Sequence, residues 1–214
     1  MKSYLLLIIL LNCFSAFAEQ LPFVSYPFDS EREVLCDQGT KSPEGNSHTY
    51  KNTLYALDLA SIKDSDPASI YSSTSGIVIS YSECSEHNSS CGAGFGNHLK
   101  ILRSDGLLVL YAHMDSITVK TGEVVKVGQF LGVEGNTGLT GSNNRHLHFS
   151  VHSNWTLNGF DYYKKHLGSL PNSIPFKMNI CQKAYGNCKN KSMDIRELKC
   201  KRVTHKEERV SRSL

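Results

Sequence analysis

Arg145-His146-Leu147-His148-Phe149-Ser150-Val151-His152 alternates imidazole or hydroxyl groups with apolar side chains. Successive side chains of a strand point to opposite faces. His146, His148, Ser150 and His152 therefore share one face, and Leu147, Phe149 and Val151 share the other. The apolar face reads as core. The polar face puts two imidazoles close together on a rigid support. Imidazole is the commonest biological metal ligand and the usual proton carrier near neutral pH. One strand can thus supply both a ligand and a base. A polar strand face that is merely rich in histidine is the plainer alternative at this point.

Strand signals continue on the N-terminal side. Gly76-Ile77-Val78-Ile79-Ser80-Tyr81 is β-branched, and His98-Leu99-Lys100-Ile101-Leu102-Arg103 alternates. Ser104-Asp105-Gly106 is a hairpin turn of the Asp-Gly type, and Leu107-Leu108-Val109-Leu110-Tyr111 is the returning strand. Residues 122–128 and 130–134 add two short strands. The loop Gly135-Asn136-Thr137-Gly138-Leu139-Thr140-Gly141 then leads into the histidine strand. This loop lacks the Gly-Lys-Ser/Thr ending of a phosphate cradle and opens a strand, so it reads as a turn. Only 161–167 suggests a helix. Short strands separated by turns predict a mainly β fold, an antiparallel sheet domain.

The chain has 214 residues and a formal net charge of +3. It opens with Lys2, an apolar run over 5–11 and Ala16-Phe17-Ala18, the pattern of a secretory signal peptide over 1–18. That run is far shorter than the roughly 20 apolar residues a bilayer span needs, and no other segment qualifies. Export to the periplasm or the extracellular space is expected. Removing 1–18 also removes Cys13 and leaves Cys36, Cys84, Cys91, Cys181, Cys188 and Cys200. An even number in an exported chain predicts three disulfides. Short loops favour Cys84 with Cys91 and Cys181 with Cys188, leaving Cys36 with Cys200. No C-x-x-C pair supports a thiolate zinc site.

The charge is uneven. From Cys181 onward there are ten Lys or Arg against four Asp or Glu, a local +6. Such a basic tail suits an anionic wall or envelope polymer, while a solvated terminus is the alternative. Nothing points to nucleic acid, and a monomer is expected. The expected organisation is a signal peptide at 1–18, an N-terminal arm at 19–45, a main domain at 46–155 and a basic, cysteine-containing extension at 156–214.

A catalytic zinc takes three protein ligands and keeps one open position. His148 is one candidate. Asp58 lies inside the apolar run Tyr55-Ala56-Leu57-Asp58-Leu59, where a carboxylate is costly unless paired or bound to a cation. An exposed loop aspartate is the alternative. His48 is the weakest candidate by sequence alone. No G-x-S-x-G motif is present, and evenly paired cysteines leave no thiol nucleophile.

Five motifs in order carry a family resemblance: Gly94-Phe95-Gly96-Asn97-His98, Tyr111-Ala112-His113-Met114, the run 119–129, Gly135-Asn136-Thr137-Gly138 and His146-Leu147-His148-Phe149. Together they resemble the lysostaphin-type (LytM-like) zinc metallopeptidases across about half of the chain. The resemblance implies a compact antiparallel β fold with an open groove, one zinc per chain and hydrolysis of peptide bonds in peptidoglycan cross-bridges or stems. It implies His48, Asp58 and His148 as zinc ligands, and His146 and His113 as the two catalytic imidazoles; either can be the base, with His146 favoured for it and His113 for oxyanion support. Asn97 and Tyr111 become the substrate-binding residues. A non-catalytic wall-binding or regulatory module on the same fold is the competing reading.

The chain also departs from the commonest pattern. Leu54 stands four residues before Asp58, where many members carry histidine, and His48 lies ten residues before it. The ending Tyr55-Ala56-Leu57-Asp58 resembles a subgroup with a longer spacing. Asn143-Asn144-Arg145 replaces the usual small residue and proline before the histidine pair. The Cys84 to Cys91 segment alters one groove wall.

Overall fold

The structure is a computed structural model. It describes residues 20–29, 32, 34–41, 48–61, 66–140, 145–153, 159–166, 168–179, 192–198 and 200. The expected signal peptide, the Cys181–Cys188 pair and the basic tail 201–214 lie outside the described residues.

In chain order the strands are β1 (Phe23–Val24), β2 (Val34–Gln38), β3 (Leu57–Ser61), β4 (Ser69–Tyr71), β5 (Gly76–Tyr81) and β6 (Asn97–Leu102). They continue with β7 (Leu108–Met114), β8 (Ser116–Ile117), β9 (Val124–Val125), β10 (Phe130–Val133) and β11 (Leu147–His152). Helix α1 (Gly159–Lys165), β12 (Lys177–Asn179) and β13 (Ser192–Asp194) follow. The fold is mainly β and largely antiparallel, as the alternation predicts. The main sheet has the order β2-β3-β11-β7-β6-β5-β9, and two three-stranded sheets, β4-β10-β8 and β1-β12-β13, accompany it. Among the described strands only β1 and β12 pair in parallel.

Register explains the two faces. Phe149 lies opposite Leu57 and Tyr111, and Val151 opposite Val109. These side chains, with Leu99 and Ile101 of β6, are fully buried and belong to the main core, together with Ile70 and Leu131 of the second sheet. On the other face, His148 lies opposite Asp58 and Ala112. Farther along that face, Ser150, Leu110 and Lys100 form one cross-strand row. The far end is closed by α1, where Tyr163 and Phe160 pack on Ile79, Leu108 and Leu102.

The main core also contains Val24, Phe28 and Val34 from the expected arm, and Phe176, Met178 and Ile195 from the expected extension. The boundaries at 45 and 155 therefore do not separate packing units. Disulfides Cys36–Cys200 and Cys84–Cys91 form, with Cα–Cα distances of 4.9 Å and 5.9 Å. Among the described residues no helix is long and apolar enough to cross a membrane.

Candidate metal centre

Three side chains converge on the histidine face. Asp58 and His148 are directly opposed on β3 and β11, so the sheet ladder sets their spacing. His148 Nδ1 lies 2.9 Å from Asp58 Oδ1. His48 reaches in from the turn that precedes β3. Its Nε2 lies 3.2 Å from Asp58 Oδ1 and 3.4 Å from His148 Nδ1. Its Nδ1–H donates to the Gly39 carbonyl at 2.8 Å, which leaves Nε2 as the lone-pair nitrogen. Zinc–ligand bonds of about 2.0–2.1 Å in a tetrahedron separate ligand atoms by about 3.3 Å. The three observed distances bracket that value, so the donor set fits zinc. His148 Nε2 is buried without a hydrogen-bond partner, and the ring meets Asp58 and His48 through Nδ1.

Electrostatics agree with a site made for a cation. Burial would raise the Asp58 carboxyl, but the charge of His146 and the hydrogen bonds from His148 and His48 outweigh it and hold Asp58 well below the usual carboxylate range. His48 and His148 shift in opposite directions beside this one carboxylate. Burial pulls both down. At His48 the Asp58 hydrogen bond and charge win and the pKa rises, whereas at His148 burial wins.

Two further imidazoles stand beside the triplet. His146 is fixed by its backbone N–H to the Gly135 carbonyl at 3.0 Å, and its Nε2 lies 3.9 Å from Asp58 Oδ1. His113 lies with its ring centroid 4.8 Å from that of His146 and 5.8 Å from that of His148. Strict alternation would put His113 on the core face with Tyr111. A bulge prevents this: two residue steps along β6 (Asn97 to Leu99) oppose three along β7 (Tyr111 to Met114). His113 takes φ 64°, a left-handed conformation costly for a non-glycine residue. The bulge thus re-aims its ring onto the histidine face.

The His113 ring is anchored by Nδ1–H donation to the Thr137 carbonyl at 2.8 Å. A carbonyl can only accept, so neutral His113 presents Nε2 as an acceptor. Burial, then the charges of His146 and His148, push its pKa well below the ordinary value and favour that neutral form. Thr137 is held in turn: its Oγ1 donates to Met114 O at 2.9 Å and accepts from Asn97 N at 2.9 Å. Its loop packs on 94–97 so closely that a Cβ on either Gly96 or Gly138, both at positive φ, would collide with the opposing backbone. That contact gives the two motif glycines their physical reason.

Asn97 and Tyr111, expected to contact substrate, are placed elsewhere. The Asn97 side chain is consumed by the Cys84 backbone: Oδ1 accepts Cys84 N–H at 2.8 Å and Nδ2 donates to Cys84 O at 2.9 Å. It clamps the disulfide loop to β6. Tyr111 is 0% exposed and points into the core, where its hydroxyl bonds Ser73 N at 2.7 Å and Ser73 Oγ. Sequence reasoning missed the carbonyls of Gly39 and Thr137 and the Phe95 ring, 5.8 Å from His148 by centroid. Backbone carbonyls leave no side-chain signature. Thr137 and Phe95 did lie in quoted motifs.

The fold is a mainly β domain whose buried His48, Asp58 and His148 could hold a metal ion. The model of peptidase family M23 matches residues 55–159, which supports membership of that family. Among solved structures, the chain is similar to one in the SpoIIQ-SpoIIIAH pore forming complex, at 22% identity over 62% of this chain and 85% of that one, TM-score 0.46. It is similar to the M23 metalloprotease pseudoalterin from the deep sea, at 17% identity over 63% and 72%, TM-score 0.48. A zinc containing peptidase from Vibrio cholerae shares 31% identity over 59% of this chain and 35% of that one, TM-score 0.41. No curated protein matches the chain.

Proposed function

We propose that the chain is an exported zinc metalloendopeptidase that cuts peptide bonds in peptidoglycan cross-bridges or stems. The observation that carries this reading is the approach of His48 Nε2, Asp58 Oδ1 and His148 Nδ1 to within 2.9–3.4 Å of one another, with two further imidazoles alongside. In this reading His48, Asp58 and His148 hold the metal. Bound zinc supplies Lewis-acid polarisation of the scissile carbonyl and acidifies a water molecule.

His146 takes the proton of the attacking water and returns it to the leaving amine. His113 contributes differently from the oxyanion support expected of it. With its proton on Nδ1 and committed to Thr137, neutral His113 accepts at Nε2 and orients the water. Supporting an oxyanion there would require a second proton, which burial opposes. The two disulfides support export to an oxidising compartment. The basic residues after Cys181 are assigned to an anionic wall polymer on charge alone.

The test is mass analysis of muropeptides released from purified wall by the zinc-loaded chain. New free amino termini are expected from the wild type. His146→Ala should lower release by orders of magnitude while keeping zinc. Bound zinc with no release from the wild type would favour the non-catalytic module instead.

A further inference from the structure

Of the three metal-binding side chains, His48 has the least local support. Asp58 and His148 sit on paired strands, whereas His48 lies in a turn ten residues before Asp58. Its ring is oriented by the Gly39 carbonyl. Gly39 directly follows β2, whose last paired residue, Gln38, is opposite Asp58. The β2–β3 register slips between Cys36 and Gln38, at the point where the Cys36–Cys200 disulfide attaches. A Cβ placed on Gly39 would lie 3.0 Å from Cys200 Sγ, 3.3 Å from Cys200 Cβ and 3.9 Å from Leu198 O. Cys200 therefore lies so close behind Gly39 that a Cβ there would press on it, while the Gly39 carbonyl meets His48. The segment bearing Cys200 is fastened to the body by β13 pairing and by buried Ile195.

We propose that the Cys36–Cys200 disulfide is a positioning element for the metal ligand His48. It fixes the Gly39 carbonyl, and that carbonyl aims His48 Nε2 at Asp58 and His148. The proposal rests on the zinc reading above and gives the C-terminal extension a function. Partners of ligating histidines are worth roughly 10–100-fold in metal affinity. Tight zinc binding then follows disulfide formation, in which the two thiols lose two protons and two electrons to an external disulfide that becomes a dithiol. A disulfide that only stapled the chain ends would change the stability of the folded protein and leave its zinc affinity alone.

The experiment measures zinc dissociation constants of the full chain by competition with a chromophoric chelator, with circular dichroism as the check on folding. Serine replaces cysteine so that no free thiol at these positions binds metal. C36S/C200S should bind zinc at least tenfold more weakly than the wild type, and C84S/C91S within twofold of it. A folded C36S/C200S with wild-type affinity overturns the proposal, as does an equal loss in C84S/C91S. Gly39→Ala keeps all the sulfurs and presses on Cys200; it should weaken zinc about tenfold. If C36S/C200S fails to fold, Gly39→Ala decides: affinity within twofold of wild type overturns the proposal. A wild-type chain that binds no zinc sinks the metallopeptidase reading itself, a result distinct from any of these.

Discussion

The five residues of the site differ in how local their placement is. His148 follows from simple alternation along β11, His146 from the same alternation one residue before that strand begins, and Asp58 from its place opposite His148. His113 does not follow from alternation, because its side is set by a bulge that only the neighbouring strand reveals. His152 shares the face of His148 but serves the scaffold. It donates Nδ1–H to Pro171 O at 3.0 Å and accepts from the Ser150 hydroxyl at Nε2, 2.7 Å away. Acceptance at Nε2 requires the neutral ring, and burial lowers its pKa to about 3. The unfolded ring protonates near 6.5, so between those values the unfolded state binds the extra proton. Stability is intact above pH 6.5 and falls as pH drops towards 3. The slope from this residue is up to about 1.4 kcal/mol per pH unit. Urea unfolding of the metal-free protein between pH 6.5 and 4.5 should show this slope. His152→Gln, which keeps one donor and one acceptor, should remove about one proton's worth of it. An unaltered slope would rule out His152 as its source.

At the scale of elements, the 84–91 loop, the 135–140 loop and the β6–β7 bulge form one hydrogen-bonded wall. Ser89 N donates to Gly138 O at 3.0 Å and Gly138 N to Glu86 O at 3.0 Å. Asn97 closes the wall through Cys84. Asn97→Ala would leave the Cys84 amide and carbonyl without these bonds, a cost of about 1–3 kcal/mol. The expected result is a lower denaturation midpoint with zinc affinity unchanged. A raised KM with unchanged stability would instead restore Asn97 as a substrate contact. The strands themselves were legible: the Asp-Gly turn and its alternating flanks became β6 and β7, and the expected helix appeared as α1. The wall was not, because its bonds run mostly through backbone groups far apart in sequence.

For the whole molecule, segments on both sides of 46–155 are part of one core. Val24, Phe28, Val34, Phe176, Met178 and Ile195 are all buried in the main cluster. Each such side chain contributes about 1.5–3 kcal/mol when fully buried. Their joint loss is comparable to the roughly 5–15 kcal/mol that holds a domain folded. A chain limited to 46–155 should show no cooperative thermal transition by calorimetry, although it contains all five site residues. A sharp transition would mean that the ends are dispensable.

The sequence by itself determined the strand alternation, the polar and apolar faces of β11, and the candidacy of His48, Asp58, His113, His146 and His148. Alternation, the two faces and the candidacy of Asp58, His146 and His148 are short-range properties that side-chain type and a period of two suffice to state, whereas His48 and His113 became candidates through the family resemblance of the motifs. Only the tertiary structure decided that Tyr111 turns to the core while His113 turns to the site. It alone showed that Asn97 holds a loop, and that Gly39 and Thr137 orient histidines through carbonyls. The physical reason is that every residue carries the same backbone groups. Their partners depend on which strands come together in space, and no residue type announces that in advance.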